Sequence, residues 1–433
     1  MSAVPHAGST GPAPEPPTAI DPGLVRDCVH CGFCLPTCPT WNLWGEEMDS
    51  PRGRIRLMAG LIDGTVPLSK TVVEHFDRCL GCDACVTSCP SGVQYGSLIE
   101  QTRGLIEETH ERGPFDEARR SLLLAALTRP WVLRAGLALA PLGRRLPLPG
   151  PLRPLGELAP PWRVRRRTSG SLAAAGPVRA RVGLLPGCVQ SVVFGDVNAA
   201  TARVLAADGF EVVTPELPCC GALHAHSGRL EQARVRARRA IEAFEQAGVD
   251  LVAVNAAGCG SHLRDVDRLF RHDPVWHERA AALAAKVRDV SELLADPVGQ
   301  RARRHPLALR VAFQDSCHLA HAQGIRDAPR AMLSAIPGLV LAEPAEQPIC
   351  CGSAGLYNLV QADAARALGD RKAQHVLAAE PDVYASANPG CLLQVSTALR
   401  RAGRPLPALH PVELLDASLR ALPADAVLAL ARR

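Results

Sequence analysis

The stretch that decides the fold is CVHCGFCLPTCP, residues 28 to 39, together with its echo CLGCDACVTSCP at 79 to 90. Each run places four cysteines within eleven positions and follows the last with a proline. The intervals repeat residue for residue: Cys28, Cys31, Cys34 and Cys38 before Pro39, then Cys79, Cys82, Cys85 and Cys89 before Pro90. Three thiols two residues apart can wrap a tight loop around a compact centre. The fourth then points away, ahead of a proline that redirects the chain.

This C-x2-C-x2-C-x3-C-P spacing is the one used for pairs of 4Fe–4S cubanes, in which the fourth cysteine of each run ligates the other cluster. It assigns Cys28, Cys31, Cys34 and Cys89 to one cluster, and Cys79, Cys82, Cys85 and Cys38 to the other. Zinc is the alternative, but zinc sites usually pair two short hooks across a longer loop, whereas each run here already offers four thiols. Iron–sulfur is therefore the preferred reading. Gly32, Gly81, Ala84 and Ser88 leave room for backbone N–H groups to approach a cluster. Between the runs, Ser50, Pro51 and Gly64 predict a helix with a cap, a first-turn proline and a glycine stop. Ile55, Met58, Leu61 and Ile62 would be its apolar face. Arg52 and Arg54 at its start are read as solvated cations rather than partners of cluster-side carboxylates.

The rest of the composition narrows the class. A chain of 433 residues implies two to three domains. Sixteen cysteines in a secreted scaffold would mean disulfides. This chain is too long for that class, and its Pro/Gly/Ala-rich opening lacks the charged start and apolar stretch of a signal peptide. The opening is expected to be a disordered tail over residues 1–22. No apolar run reaches the length of a membrane span, since SLLLAALTRPWVLRAGLALAPL (121–142) is broken by Arg129, Pro130 and Arg134. A net charge of +5 with no concentrated basic stripe argues against nucleic acid as a partner. No dinucleotide fingerprint or Walker loop appears, so neither flavin nor NAD is expected in this chain. The reading is a cytoplasmic protein with thiols free for metal.

From about residue 179 the sequence repeats itself. RVGLLPGCVQ is answered by RVAFQDSCHL, PCCGAL by ICCGSA, and VDLVAVNAAGCGSHL by PDVYASANPGCLLQV. Each half reads as strand, Cys loop, helix, strand, Cys-Cys-Gly loop, long helix, strand, Cys loop. Alternating strands and helices predict parallel α/β units, whose loops gather at the carboxyl edge of the sheet. That would collect Cys188, Cys219, Cys220 and Cys259 in one repeat, and Cys317, Cys350, Cys351 and Cys391 in the other. Leu230, Ala233, Ala237, Ile241 and Phe244 mark the buried face of the first long helix.

These repeats resemble the cysteine-rich domain of heterodisulfide reductases. With the ferredoxin pair in front, the chain resembles the glycolate oxidase iron–sulfur subunit family over roughly residues 24 to 418. SPRGRI, CPSGVQYG, CHLAHAQGIRDAPR, NPGC and HPVELLD add to the likeness. The resemblance implies an electron-transfer subunit that takes electrons from flavin-bearing dehydrogenase subunits oxidising glycolate or another 2-hydroxy acid, and passes them toward a quinone or membrane acceptor. Iron–sulfur subunits of D-lactate, 2-hydroxyglutarate or glycerol-3-phosphate dehydrogenases share the layout. A thiol/disulfide reductase and a zinc-dependent scaffold are readings of other classes. One departure bears on them. The reductases end each repeat with Cys-x-x-Cys, but here the earlier position is Ala256 or Asn388. Each repeat keeps four cysteines, suited to a further iron–sulfur site or to zinc, and the reductase chemistry is not carried over. His224, His226, His262, His318 and His321 are read as hydrogen-bonding neighbours rather than ligands.

The expected division is a tail at 1–22, a mainly helical two-cluster ferredoxin-like domain at 23–110, a helical and Pro/Arg-rich linker at 111–178, Cys-Cys-Gly repeats at 179–304 and 305–422, and a tail at 423–433. The fold class is thus α+β and α/β. Residues 129–167 hold nine arginines and one acid, Glu157. A solvated linker is preferred there over an interfacial segment anchored by Trp131 and Trp162 on the inner face of the cytoplasmic membrane.

Overall fold

The computed structural model describes residues 19–145, 153–159, 170–217 and 219–432. Most of the expected N-terminal tail, and Trp162, lie outside them.

The front segment is helical, with no strand among the described residues from 19 to 145. Ser50 caps α1 (Pro51–Ile62), its hydroxyl accepting from Gly53 N–H at 3.0 Å. Gly64, in the left-handed region at φ 71°, follows the end of the helix. Ile55 and Met58 are buried as the periodicity predicts, while Ile62 is 39% exposed. Both join α2 (Tyr95–Thr109) and the helix Lys70–Asp77 around Phe76, Leu98, Ile99 and Ile106. Arg54 overturns its solvated reading, being 1% exposed. Its guanidinium donates to Asp49 at 3.3 Å, to Thr40 Oγ1 at 3.1 Å and to the His75 carbonyl at 2.7 Å. A buried cation is tolerated only when paired and hydrogen-bonded in this way. Arg52 stays partly exposed, bound to Glu47 at 2.7 Å and to the His30 carbonyl at 3.3 Å.

Residues 111–178, expected as a helical and Pro/Arg-rich linker, hold α3 (Pro114–Thr128), α4 (Pro130–Arg145) and α5 (Arg153–Leu158) among the described residues, and the helices within 129–167, read as solvated, are docked. Leu123 and Leu124 of α3 pack on Leu356 and Leu359, and Leu137 of α4 packs on Val192 and Val193. One apolar stripe on each helix is enough to outweigh solvation of the arginines on the other faces. Trp131 and Leu139 remain 69% and 68% exposed. Among the described residues no single helix is long and apolar enough to cross a membrane. Only Pro114–Thr128 and Pro130–Leu139 together reach the length, and they are bent by 100°.

Each repeat forms its own sheet. The first comprises β1 (Gly170–Leu172), β2 (Ala180–Leu184), β3 (Phe210–Thr214), β4 (Leu251–Val254) and β5 (Val287–Asp289), in the order β1-β3-β2-β4-β5. The second comprises β6 (Arg310–Gln314), β7 (Val340–Ala342), β8 (Val383–Ser386) and β9 (Ala408–Leu409), in the order β7-β6-β8-β9. All neighbours are parallel except β1, which runs antiparallel to β3. The registers match: Val182 aligns with Val212 and Leu251, as Val311 aligns with Leu341 and Val383. The repeats are not separate globules. The helix α6 (Gly195–Ala207) packs on α10 (Pro411–Leu419), and Val182, Leu184, Val204, Val311, Phe313 and Leu415 belong to one core. Between them in sequence run the long helices α7 (Leu230–Gln246) and α8 (Ala362–Ala378), with α9 (Pro389–Arg401) after β8. On α7, Ala233, Ala237, Ile241 and Phe244 are buried as predicted. The closing residues, expected as a tail from 423, instead form α11 (Ala424–Arg432), whose Val427 enters the same core.

Candidate metal centres

The two front loops owe their shape to residues in the left-handed region. His30 and Asp83 adopt φ of 54° and 57°, each between two cysteines of its run. Such conformations in non-glycine residues persist only where surroundings hold them. After Cys38 the chain turns directly into the helix Pro39–Trp44, with Pro39 in its first turn. The turn carries Cys38 away from its own run. Cys28, Cys31, Cys34 and Cys89 border one small cavity, with Cys85 on its wall, and Cys38, Cys79, Cys82 and Cys85 border a second. The fourth cysteine of each run therefore sits with the other run's first three.

Polar neighbours converge on these sulfurs. Gly81 N–H donates to Cys79 Sγ at 3.3 Å, the Tyr95 hydroxyl is 3.5 Å from the same sulfur, and Thr40 Oγ1 is 3.2 Å from Cys38 Sγ. Burial works against the Arg54 charge, but Cys79, Tyr95, Cys38 and Asp49 outweigh it and raise its pKa above the ordinary arginine value. Burial also pushes the Cys34 thiol up to about 11 and holds Cys82 and Cys85 well above the usual thiol range. Thiols in such surroundings ionise when a cation compensates them, which is the donor chemistry of a metal or cluster site. Each front cavity is bordered by at least four cysteines, a donor set that fits an iron–sulfur group.

The front centres differ in position. Cys31 is exposed, and Val29 and Phe33 beside it are 68% and 66% exposed. The second centre lies inside the molecule, where Leu80, Cys82 and Ala84 pack against Ile349, Cys350 and Tyr357 of the second repeat. Arg103 braces it, donating to the Cys79 carbonyl at 2.6 Å and to the His226 carbonyl at 2.8 Å. Thr87 Oγ1 lies 2.7 Å from His321 Nδ1.

In the repeats, Cys188, Cys219, Cys220 and Cys259 follow the carboxyl ends of β2, β3 and β4. Cys317, Cys350, Cys351 and Cys391 follow those of β6, β7 and β8. All eight border a single cavity of about 260 Å³. Cys317 and Cys350 sulfurs are 3.9 Å apart, and Asn388 donates to Cys391 Sγ at 3.5 Å from the position that departs from Cys-x-x-Cys. The glycines of both Cys-Cys-Gly loops have positive φ, 103° at Gly221 and 88° at Gly352, and a Cβ at Gly352 would meet the Ala365 carbonyl oxygen at 2.7 Å. Hydrogen bonds from Cys188 and Cys220 hold Cys219 well below the ordinary thiol range, and the hydrogen bond between Cys351 and Cys350 pushes Cys351 up to about 12.

The histidines divide by environment. His226 Nδ1 bonds Glu100 at 2.8 Å and its ring stacks on His318 at 5.0 Å. Burial pushes Glu100 up, but its hydrogen bond to His226 and the charges around it hold it down to about 2. His224 and His262 are buried. The sequence reading placed Arg54 in solvent and did not single out Arg103, Glu100 or Gln190. Gln190 is 2% exposed, borders the shared cavity, and has no hydrogen-bond partner for either amide atom. None of the four stands in a periodic pattern, so only the partnering of distant segments brings them out.

Residues 24–93 match the 4Fe-4S dicluster domain family, and residues 182–264 and 311–396 match the cysteine-rich domain family. The chain is 37% identical to the probable glycolate oxidase iron-sulfur subunit of Bacillus subtilis, covering 92% of this chain and 94% of that one. It is 35% identical to the glycolate oxidase iron-sulfur subunit of Escherichia coli, with the same coverage. Lactate utilization protein A of Oceanobacillus iheyensis is 29% identical over 54% of this chain and 96% of its own. A crystal structure of a hypothetical protein from Helicobacter pylori shares the fold at a TM-score of 0.54 and 8% identity, covering 84% of this chain and 66% of that one. With its ferredoxin pair and two cysteine-rich repeats, the chain belongs to the family of glycolate oxidase iron–sulfur subunits, which are electron-transfer subunits of oxidoreductases.

Proposed function

We propose that this chain carries electrons within a multisubunit 2-hydroxy acid dehydrogenase, from a flavin-bearing subunit toward a quinone, with glycolate as the hydroxy acid. The observation that carries this reading is the order of the thiol groups. They run from the exposed Cys31 loop, through the inner front centre, to Cys350 beside Cys82 and on to the cavity shared by both repeats. Cys28, Cys31, Cys34 and Cys89 would hold one 4Fe–4S cluster, and Cys79, Cys82, Cys85 and Cys38 the other. Cys188, Cys219, Cys220 and Cys259, and Cys317, Cys350, Cys351 and Cys391, would hold two further metal groups, iron–sulfur rather than zinc. When bound, such clusters supply one-electron carriers whose potentials answer to burial and to hydrogen bonds on sulfur.

The chain's own residues set those terms. Tyr95 and the Gly81 N–H place polar hydrogens beside inner sulfurs, and Arg54 sets a buried positive charge beside Cys38 and Cys79. Val29 and Phe33 form the apolar lip on which a flavin-bearing subunit would dock, close to the outermost centre. The working place is the inner face of the cytoplasmic membrane, with Trp131 and Leu139 turned outward for peripheral contact. Glycolate is favoured over lactate because two glycolate oxidase subunits are 37% and 35% identical along 92% of this chain, whereas the lactate utilization protein is 29% identical along 54%.

The test is stopped-flow absorbance of the full chain, reconstituted anaerobically with iron and sulfide. Glycolate added with the flavoprotein subunits is expected to bleach the cluster absorbance, and glycolate alone is expected to leave it unchanged. Bleaching without a flavoprotein would overturn the division of labour.

A further inference from the structure

The cavity between the repeats has walls of two kinds. The eight cysteines border it, and so do Leu133 and Leu137 of α4 and Leu155 and Leu158 of α5. The same helix α4 carries the exposed Trp131 and Leu139. Within this mostly apolar space Gln190 is buried with its amide nitrogen and oxygen both without a partner. A buried amide left unpaired is costly, so its presence in the cavity wall points to a ligand that completes its hydrogen bonds. His226 and His318 border this cavity and also a second one of about 140 Å³ that holds Asp83, Glu100 and Asp265. His226 Nδ1 is engaged by Glu100, while its Nε2 has no partner.

We propose that this cavity is the binding site of a quinone: the ring lies between the two tetracysteine groups, Gln190 Nε2 donates to one carbonyl oxygen, and the isoprenoid chain leaves past the leucines of α4 and α5. An apolar, uncharged carrier that takes up both electrons and protons is the chemistry these walls fit. The site rests on the reading of this chain as an electron-transfer subunit. Oxidation of the 2-hydroxy acid to the 2-oxo acid releases two electrons and two protons. The electrons reach the quinone one at a time through this chain, while two protons from water form the two O–H bonds of the quinol. His226 is placed to bring those protons from the acid-lined cavity, because its ring borders both spaces.

The experiment uses the full chain with its metal centres and a photoactivatable naphthoquinone, followed by mapping of the labelled peptides. Labelling is expected within residues 127–139, 153–159, 187–193 or 353–359. Gln190→Leu and Leu158→Trp, one removing the donor and the other narrowing the mouth, are each expected to lower its yield about tenfold. Labelling elsewhere, or unchanged labelling in both variants, would overturn the site. In the complex with flavoprotein subunits, both variants are expected to lower the ratio of quinone reduction to artificial-dye reduction. His226→Gln is expected to lower that ratio while labelling persists, and an unchanged ratio would remove His226 from the proton path. Absence of dye reduction in the unaltered complex would instead count against the electron-transfer reading itself.

Discussion

At the residue scale, the front domain depends on a charge that no sequence pattern marks. Asp49 is fully buried and takes Arg54, Arg78 and His75 as partners at 3.3, 2.9 and 3.0 Å. Breaking a buried pair from one side leaves the remaining charge uncompensated. Arg54→Met is expected to destabilise the chain by about 3 kcal/mol, read as a lower urea midpoint. No change would mean that Arg78 and His75 suffice for Asp49. A second residue gives a pH signature. His410 is buried, accepts from Val412 N–H at 3.2 Å through Nδ1, and caps α10. Burial lowers its pKa to about 3. The unfolded chain therefore binds a proton between pH 6.5 and 3 that the folded chain refuses, so stability falls as the pH drops through that window. At pH 5 this histidine accounts for about 2 kcal/mol of the loss. His410→Asn, which keeps a cap acceptor, is expected to flatten the fall in thermal midpoint between pH 7 and 5. An equal fall in the variant would contradict the assignment.

At the scale of elements, the Cys-Cys-Gly loops work because their glycines take conformations closed to other residues. Gly352→Ala forces both a positive φ and a Cβ at 2.7 Å from the Ala365 carbonyl oxygen of α8. The expected cost is about 1–3 kcal/mol, with loss of metal from the second repeat on metal analysis. Gly403 has φ 70° but nothing within 4 Å of its added Cβ, so Gly403→Ala is expected to cost less and keep the metal. Equal effects would mean that backbone strain alone, and not the contact with α8, decides the loop. The strands, the long helices and the cysteine-bearing loops were legible in the sequence because each repeat writes its period twice and punctuates it with cysteine. The docking of α3, α4 and α11 was not legible. Their apolar stripes are short, arginines and prolines surround them, and Leu356 and Val193, the partners of α3 and α4, lie far away in sequence. Arg54 was read as solvated for the same reason, since Asp49 and the His75 carbonyl meet it only after folding.

At the scale of the molecule, the front domain is bound to both repeats rather than tethered to them. Glu100 meets His226, Arg229 meets Glu107 at 3.2 Å and Glu117 at 2.6 Å, and Thr87 meets His321. These contacts fix the inner cysteine loop against Cys350 and so order the thiol groups along one path from surface to cavity. The path depends on the two front runs exchanging their fourth cysteines, which the two cavities support through their linings. The most direct measurement is electron paramagnetic resonance of the anaerobically reduced full chain carrying Cys38→Ser. The exchange predicts that the centre held by Cys79, Cys82 and Cys85 is altered or lost, while the one held by Cys28, Cys31 and Cys34 keeps its signal. Loss of the Cys28, Cys31 and Cys34 centre with the other intact would contradict it.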